Sequence, residues 1–365
     1  MAKAFGCARV VYNDALTLRR SAHANGVKQL SDTELQRQVI TLAKKTEPRA
    51  WLADVPSVVL TQALRDLGTA FSAFFSSRSG KRKGPKVGEP RFRSRKDSRQ
   101  SIRFTRDAFR LRRSGKLYLA KIGELKVRWS RQLPSAPSSA TVIRDSIGRY
   151  FVSFVVESDP NEDRSRFAEA SGEVGIDLGL TAFATLSDGT VIDNPKYLRR
   201  AEHRLRKAQQ AVSRKQKGSN NRAKAVVKLA KAHAKVAAAR SDFHHQMSTS
   251  IIRDNQTVIV EDLAVSGLAR SILAKSVHDA GWGRFLRMLE YKAGRYGRTF
   301  VRIHRFFPSS QLCANCGVSG GPQPLHVRVR VCAGCGARLE RDLNAARNIR
   351  AEGLRMLVAA GQAET

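Results

Sequence analysis

The sequence predicts an α/β protein with a helical N-terminal part, because three hydrophobic patterns follow one another along its 365 residues. Apolar residues recur every three or four positions over about residues 1–77, as in amphipathic helices. Short alternating runs follow over 101–157, and continuous apolar strands mixed with helices fill the remainder. A hydrophobic content of 42% indicates a folded chain. No apolar run approaches the ~18 residues of a membrane span.

Charge is the unusual quantity in this chain. It carries 66 Lys and Arg against 31 Asp and Glu, a formal net charge of +35. Such self-repulsion destabilises a compact protein unless a polyanion neutralises it. Counterion release favours nucleic acid as that partner and predicts a salt-dependent affinity. A ribosome-associated protein and a basic surface without a dedicated ligand remain alternatives. Because MAKAFGCARVVYND lacks a signal-peptide core, we expect a cytoplasmic protein, with no membrane partner and no small-molecule substrate.

The first domain is predicted to be a helical module over 1–100. Its helices should include NDALTLRR, TELQRQVITLAKK and VVLTQALRDLGTAFSAFF. Residues 78–100 hold ten Lys and Arg with many Gly and Pro, which predicts a mobile basic loop. A merely solvated linker is the alternative. Phe92 and nearby Phe104 favour contact with phosphates or bases.

A small antiparallel barrel or sheet is predicted over 101–157. The alternating runs are SIRFT, FRLRR, KLYLAKI, LKVRWS, ATVIRD and GRYFVSFVVES. The polar stretch SDPNEDRSRFAEASGE that follows is a candidate domain boundary.

The region 171–307 is predicted to be an α/β layer. EVGIDLGLTAFATLSDGTVID suggests two strands joined by a turn at 187–189, and TVIVEDLAV suggests a strand buried on both faces. Residues 196–240 form a predicted helical hairpin with fifteen Lys and Arg against one Glu. One of its faces should pack on the core and the other should face a polyanion; the core face comprises Leu205, Ala208 and Val212.

Four cysteines predict a structural zinc ribbon over 308–339. Cys313-Ala-Asn-Cys316 and Cys332-Ala-Gly-Cys335 have the C-x2-C-x15-C-x2-C spacing of a four-cysteine site, which leaves no open catalytic position. A Gly after each pair lets backbone N–H groups turn toward the thiolates. His326 is interpreted as an exposed or stacking residue rather than a ligand. The fifth cysteine, Cys7, is expected to be a small buried apolar residue.

Three carboxylates are candidate metal ligands. Asp177 lies in VGIDLGL, where its flanking glycines would leave room for a metal and an approaching phosphate; a turn-capping role is the alternative. Glu261 ends the buried strand, where open α/β sheets bind ligands, although Asp262 is a rival. Asp342 precedes the helix LNAARNIRAEGL and is a plausible N-cap.

The three together point to metal chemistry. Carboxylates beside a phosphate-binding surface repel the substrate unless a divalent cation lies between them. Two Mg²⁺ ions about 4 Å apart would activate water and stabilise the leaving oxygen in phosphodiester hydrolysis, which is a ribonuclease-H-like arrangement.

The motifs GIDLGL, VIVEDLAVSGLAR and RDLNAARNI resemble the three RuvC nuclease motifs of the transposon-encoded TnpB (OrfB) family. GWGRFLRMLEYKAGRYGRTF, FPSSQLCANCG, ALRDLGTAFSAFF and FGCARVVYNDAL extend the resemblance to nearly the whole chain. It implies an RNA-guided DNA endonuclease related to the compact type V CRISPR nucleases, with a transposon-derived guide RNA and a double-stranded DNA target.

The resemblance also implies residue roles and domains. Asp177, Glu261 and Asp342 would bind Mg²⁺, and the four cysteines would bind Zn²⁺. Residues 1–100 would be a recognition module, 101–157 a wedge barrel, and 171–307 with 340–365 a RuvC-like nuclease domain. Two departures from the family pattern stand out. Met1 lies only four residues before Phe5, so the first barrel strand is expected to be missing, and Glu340 replaces a more usual Asp.

Two other functions are kept as alternatives. One is a cleavage-deficient, RNA-guided DNA-binding repressor, against which all three carboxylates argue. The other is a transposase or transposase accessory protein, for which the sequence shows no separate helix-turn-helix segment.

Overall fold

The computed structural model describes residues 1–27, 30–97, 99–167, 170–324 and 326–363. The chain divides into two compact units, Met1–Ser158 and Asp159–Thr365. This division falls within the polar stretch between the two predicted regions. No helix in the described part of the chain combines the length and apolar character needed to cross a bilayer.

The first unit begins with helices packed around a shared core. Its α-helices are α1 (Ala2–Ala24), α2 (Asp32–Gln36) and α3 (Ser57–Arg78), and α2 continues into a π-helical turn, Arg37–Leu42. Short 3-10 segments span Ala43–Lys45, Glu47–Asp54 and Arg106–Ala108. The hydroxyl of Ser31 accepts the backbone N–H of Glu34 and thereby starts α2. Cys7 is fully buried, as predicted.

Two three-stranded antiparallel sheets follow in this unit. The strands are β1 (Gln100–Thr105), β2 (Phe109–Leu111), β3 (Leu117–Leu119), β4 (Gly123–Leu125), β5 (Ser139–Arg144) and β6 (Tyr150–Val155), in the orders β1-β5-β6 and β2-β3-β4. The predicted strand in LKVRWS is wrong beyond its first residue. Trp129 stacks on Phe154 with ring centroids 5.5 Å apart and donates to the Gly115 carbonyl, which holds this segment as a loop.

One expectation for the region around the basic segment is wrong, and another holds only in part. Phe104 is fully buried, because the alternation of β1 directs it into the core, and it cannot contact a base. The segment is also not wholly mobile. Asn13 exchanges two hydrogen bonds with the backbone of Arg93, at 2.8 and 3.0 Å, and the Arg93 guanidinium lies 3.9 Å above the Tyr12 ring. Phe92 remains half exposed.

The second unit is built on a five-stranded mixed sheet. Its strands are β7 (Glu173–Leu178), β8 (Ala182–Leu186), β9 (Val191–Asp193), β10 (Thr257–Glu261) and β11 (Thr299–Ile303), in the order β11-β10-β7-β8-β9. Strands β7, β10 and β11 are parallel, whereas β8 and β9 pair antiparallel. The region predicted as two strands therefore contains three, and the turn at 187–189 joins the second to the third. Strand β10, which lies between β11 and β7, is buried on both faces, as predicted.

Helices and a small hairpin complete this unit. They are α4 (Pro160–Ser165), α5 (Tyr197–Ser213), α6 (Asn220–Asp254), α7 (Val265–Leu268), α8 (Ala274–Ala280), α9 (Trp282–Arg295), α10 (Arg341–Ala363), β12 (Val329–Val331) and β13 (Arg338–Glu340). The helical hairpin is longer than predicted, since α6 runs to Asp254. Leu205 and Val212 are buried and Ala208 is half-buried, but α5 packs chiefly on α6 rather than on the core that covers the sheet.

Two glycines allow α10 to lie unusually close to the sheet. A Cβ at Gly175 would lie 2.2 Å from the Ala346 carbonyl oxygen and 2.5 Å from the Arg350 nitrogen. A Cβ at Gly353 would lie 2.3 Å from the Ile259 side chain. The space beside Gly175 is thus filled by helix backbone, and the expectation that it admits a phosphate is wrong. The close approach carries the start of α10 to the face of β7 that bears Asp177.

Candidate active site and metal centre

Three carboxylates converge where the sheet meets the start of α10. Asp177 lies on β7, Glu261 ends the neighbouring parallel strand β10, and Asp342 lies in the first turn of α10. Burial raises the pKa of Asp177 to about 7, with further contributions from the negative charges of Glu261 and Asp342. Arg341 and Arg328 oppose this rise. Glu261 and Asp342 thus lie within electrostatic range of Asp177.

Glu261 and its rival Asp262 have different surroundings. The Ser309 hydroxyl donates a hydrogen bond to Glu261, and burial raises the pKa of this carboxyl above its usual range. Asp262 instead forms an ion pair with Arg305. The structure therefore brings Glu261, not Asp262, toward Asp177.

Asp342 lies inside its helix rather than ahead of it. Helix α10 begins at Arg341, directly after β13 ends at Glu340, so the predicted N-cap role is wrong. A carboxylate in the first turn still interacts favourably with the positive end of the helix dipole. Arg328, just before β12, holds this carboxylate with Nη1–oxygen distances of 3.2 and 3.4 Å.

The carboxylates are less tightly gathered than the cysteines. A metal ion could be held by three or more His, Cys, Asp or Glu side chains whose ligand atoms all lie within 4.8 Å of one another. Within the described ranges, only the four cysteines form such a group. Ser309 binds Glu261 and Arg328 binds Asp342, so each of these carboxylates has a partner from the protein itself.

The four cysteine sulfurs have the spacing of a tetrahedral metal site. The Sγ atoms of Cys313 and Cys335 are 3.7 Å apart, and those of Cys316 and Cys332 are 3.6 Å apart. Four sulfurs at about 2.3 Å from one zinc ion would be separated by roughly 3.8 Å, so the cluster fits such an ion. His326 is exposed and is not part of the cluster.

Backbone groups around the cysteines prepare them for a cation. Gly317 and Gly336 have φ values of +74° and +69°, the left-handed conformation that lets the chain turn back after each pair. Hydrogen bonds from the backbone of Cys335 and Gly334 lower the pKa of Cys332 to about 6. This donor arrangement stabilises the thiolate of Cys332, the form that binds metal.

Two asparagines attach the cysteine cluster to α10. Asn344 and Asn348 are both buried, one turn apart on the helix. Asn344 donates to the Leu312 carbonyl and accepts the Ala314 N–H, at 2.6 and 2.9 Å. Asn348 donates to the Ser309 carbonyl at 2.7 Å. The helix that carries Asp342 thus also fixes Ser309, the partner of Glu261.

Sequence reasoning missed these supporting residues. The roles of Ser309, Arg328 and the two asparagines depend on contacts between distant segments. Only the i, i+4 spacing of two Asn on one helix face gave a usable signal. A further missed residue is buried Asp279, whose carboxylate accepts the backbone N–H groups of Leu198 and Arg199 and so caps α5.

Three family models match parts of the chain. Residues 153–271 match a family described as a probable transposase, OrfB of the IS605 type, and residues 282–349 match a Cas12f1-like TNB domain. Residues 1–28 match a family model described as a helix-turn-helix domain, a segment that the sequence analysis did not identify. In the described residues this match corresponds to α1 and the turn after it.

Similar proteins were found among curated sequences and solved structures. A protein of Streptomyces pristinaespiralis, provisionally named an RNA-guided DNA endonuclease, is 47% identical over 97% of this chain and 85% of its own. The similarly named InsQ of Escherichia coli is 29% identical over 95% of this chain and 87% of its own. A solved Cas12f1–sgRNA–target DNA complex shares the fold with a TM-score of 0.53 and 14% identity, over 96% of this chain and 81% of that one. The chain therefore belongs to the OrfB (TnpB) family of transposon-encoded proteins.

Proposed function

We propose that this protein is an RNA-guided DNA endonuclease of a transposable element. Two Mg²⁺ ions bound by Asp177, Glu261 and Asp342 would serve its phosphodiester hydrolysis. The names of the relatives support the activity, and the fold shared with a guided nuclease complex is consistent with it. Watson–Crick pairing to a guide RNA would supply sequence specificity, while the protein reads duplex shape and a short flanking motif.

One observation carries the assignment of the site. Three acidic side chains lie near the carboxyl ends of β7 and β10 and the start of α10, in a protein with a net charge of +35. Burial, together with the negative charges of the other two, raises the pKa of Asp177 to about 7. Such a cluster is unfavourable without a cation, and oxygen ligands of this kind suit Mg²⁺. When bound, these ions would supply an activated water and charge stabilisation at the leaving oxygen.

The chain's own groups would organise the reaction around that cluster. Ser309 orients Glu261 through its hydroxyl. Arg328 brings a guanidinium beside Asp342, where a backbone phosphate would bind. The cysteine cluster would hold one structural Zn²⁺ and keep Arg328 and Ser309 in place.

The proposed domain roles follow the same reasoning. Residues 171–307 and 340–365 would form the RuvC-like nuclease domain around the ribbon 308–339. The helices within 1–100 would form a recognition module, and the two small sheets of 101–157 would act as a wedge-like barrel.

The test is to sequence the RNA that co-purifies with the protein expressed from its own locus. The complex is then assayed on matched plasmid DNA with Mg²⁺ or EDTA. We expect a discrete RNA and guide-dependent cuts that EDTA abolishes. Glu261→Ala should abolish cleavage while RNA binding is retained, whereas the neighbouring Asp262→Ala serves as the matched control and should still cut.

Other outcomes would change the assignment. A discrete RNA with guided DNA binding but no cuts would support the repressor alternative. Loss of cleavage in Asp262→Ala alone would transfer the metal role to that residue. Recovery of only bulk cellular RNA would contradict the guided mechanism.

A further inference from the structure

A cavity of about 510 Å³ in the first unit lies between the C-terminal parts of α1 and α3. Its size falls within the range of small-molecule and nucleotide sites. Three phenylalanines and three arginines dominate its lining; they are Phe71, Phe74, Phe75, Arg19, Arg20 and Arg78. None of these side chains belongs to the carboxylate site or to the cysteine cluster.

The aromatic side chains of this cavity are only partly buried in the core of the first unit. Phe71 is buried and stacks on Phe75 with ring centroids 6.0 Å apart, and Phe74 lies 5.2 Å from Phe75. Phe75 itself is 48% exposed, so much of its ring faces solvent. An exposed ring at the edge of an aromatic cluster offers a platform on which a planar group can stack.

The cationic part contains a donor without an acceptor. The Arg19 side chain is only 9% exposed; one terminal nitrogen binds Asp32 at 2.6 Å, and the guanidinium lies 5.1 Å from the Phe71 ring centroid. Among the described residues, Arg19 Nε has no hydrogen-bond partner. An N–H group buried without an acceptor is unfavourable, so an acceptor that reached this side chain would bind favourably.

Charge favours an anionic occupant. Arg20 is paired with Glu89 at 2.9 Å and lies 5.1 Å from the exposed Phe92 ring, while Arg78 is exposed at the end of α3. The lining thus combines stacking surfaces, a buried donor and an excess of positive charge. An apolar protein segment would use the phenylalanines but would gain nothing from the positive charge of the lining, in which three arginines outnumber Glu89.

We propose that this cavity binds an unpaired nucleotide of the guide RNA. Its base would stack on the Phe75 side of the cluster, with a base carbonyl or phosphate oxygen accepting from Arg19. Specific RNA recognition commonly uses unstacked bases from loops and bulges, held on aromatic rings and guanidinium planes. A folded RNA presents unstacked bases from its loops and bulges before any DNA is bound, which favours it as the occupant. The displaced non-target DNA strand also carries unpaired bases, and the parallel measurement on single-stranded DNA tests that source. The inference rests on the proposed function.

The experiment compares two exposed aromatic residues of the same unit. Phe75→Ala removes the stacking ring, and Phe151→Ala is the matched control, because Phe151 is 49% exposed and also lies near an arginine, at 5.2 Å. The probe is the RNA that co-purifies with the protein, and single-stranded DNA of the same sequence is measured in parallel. We expect Phe75→Ala to weaken RNA binding about tenfold, roughly 1.4 kcal/mol, while Phe75→Trp retains it.

Photo-crosslinking with 4-thiouridine in the RNA identifies the occupant directly. We expect a crosslink in the peptide that contains Phe75, with an unchanged melting temperature for Phe75→Ala. Equal RNA affinity of wild type and Phe75→Ala, a loss confined to DNA, or an equal loss in Phe151→Ala would each overturn the proposal. If the wild-type protein retains no discrete RNA, the proposed function itself fails, which is a distinguishable result.

Discussion

Replacing Asp177 by Asn should stabilise the metal-free protein. A rise of the Asp177 pKa from 3.8 to about 7 makes the ionised carboxylate unfavourable in the folded state. The difference corresponds to roughly 4 kcal/mol at a pH above 7, taken as an upper bound. Asparagine has nearly the same shape and no charge, so the variant avoids this penalty. A gain of 2–4 kcal/mol would raise the melting temperature by roughly 4–16 °C.

The pH dependence provides a second test of the same reasoning. Because the folded-state pKa is raised, protonation of Asp177 stabilises the fold below pH 4, and this stabilisation is lost as pH rises through about 7. The stability difference between Asp177→Asn and wild type should therefore be largest above pH 7 and vanish near pH 4. Mg²⁺ should reverse the order, since it binds the wild-type carboxylate and stabilises that fold by mass action.

Thermal unfolding in EDTA and in Mg²⁺, at several pH values, measures these effects. Asp188→Asn is the control, because Asp188 lies exposed in the turn at 187–189 and should change little. A variant less stable than wild type in EDTA at pH 8 would refute the electrostatic argument. Equal responses of variant and wild type to Mg²⁺ would refute the assignment of Asp177 as a metal ligand.

Three further predictions concern packing, zinc and a buried histidine. Gly175→Ala should lower stability by roughly 1–3 kcal/mol or more, because its Cβ would meet the backbone of α10. The control Gly294→Ala, whose Cβ would have no atom within 4 Å, should be neutral or slightly stabilising in thermal melts. Equal effects of the two substitutions would contradict the close approach of α10 to the sheet. Cys313→Ser should release zinc and lower the melting temperature, as measured by metal analysis and calorimetry, and unchanged zinc content would refute the ribbon. Burial lowers the pKa of His244 from 6.5 to about 4, so in the Asp177→Asn background stability should fall as pH drops from 6.5 to 4. His244→Gln should flatten that fall, and an unchanged slope would assign it to other groups.

The sequence predicted local patterns better than long-range contacts. Buried strand β10 and the cysteine spacing were readable because hydrophobic runs and ligand intervals are local properties. The position of Phe104 was misjudged because it was grouped with the basic segment, although the alternation of SIRFT already places it on the same face of β1 as Ile102. The hydrogen bond from Ser309 to Glu261 could not be predicted, since it depends on how α10 seats the segment before Cys313.

The glycines of the close helix contact illustrate the same limit. The motif VGIDLGL suggested that glycine leaves room beside Asp177, and the missing side chain at Gly175 does leave that room. The sequence does not say what fills the room, and the structure fills it with the backbone of α10. Similarly, a lone Asp before a helix suggested a cap, but β13 runs directly into α10 and makes Asp342 a first-turn residue.

The late position of α10 in the chain has a consequence for biosynthesis. A nascent polypeptide that has emerged only as far as the cysteine cluster carries Asp177 and Glu261 but lacks Asp342 and the two asparagines that seat Ser309. Prematurely terminated products should therefore be unable to assemble the proposed site, even if their sheet has folded. In this arrangement, a cell that translates the gene is exposed to the nuclease only after almost the entire second unit has been made.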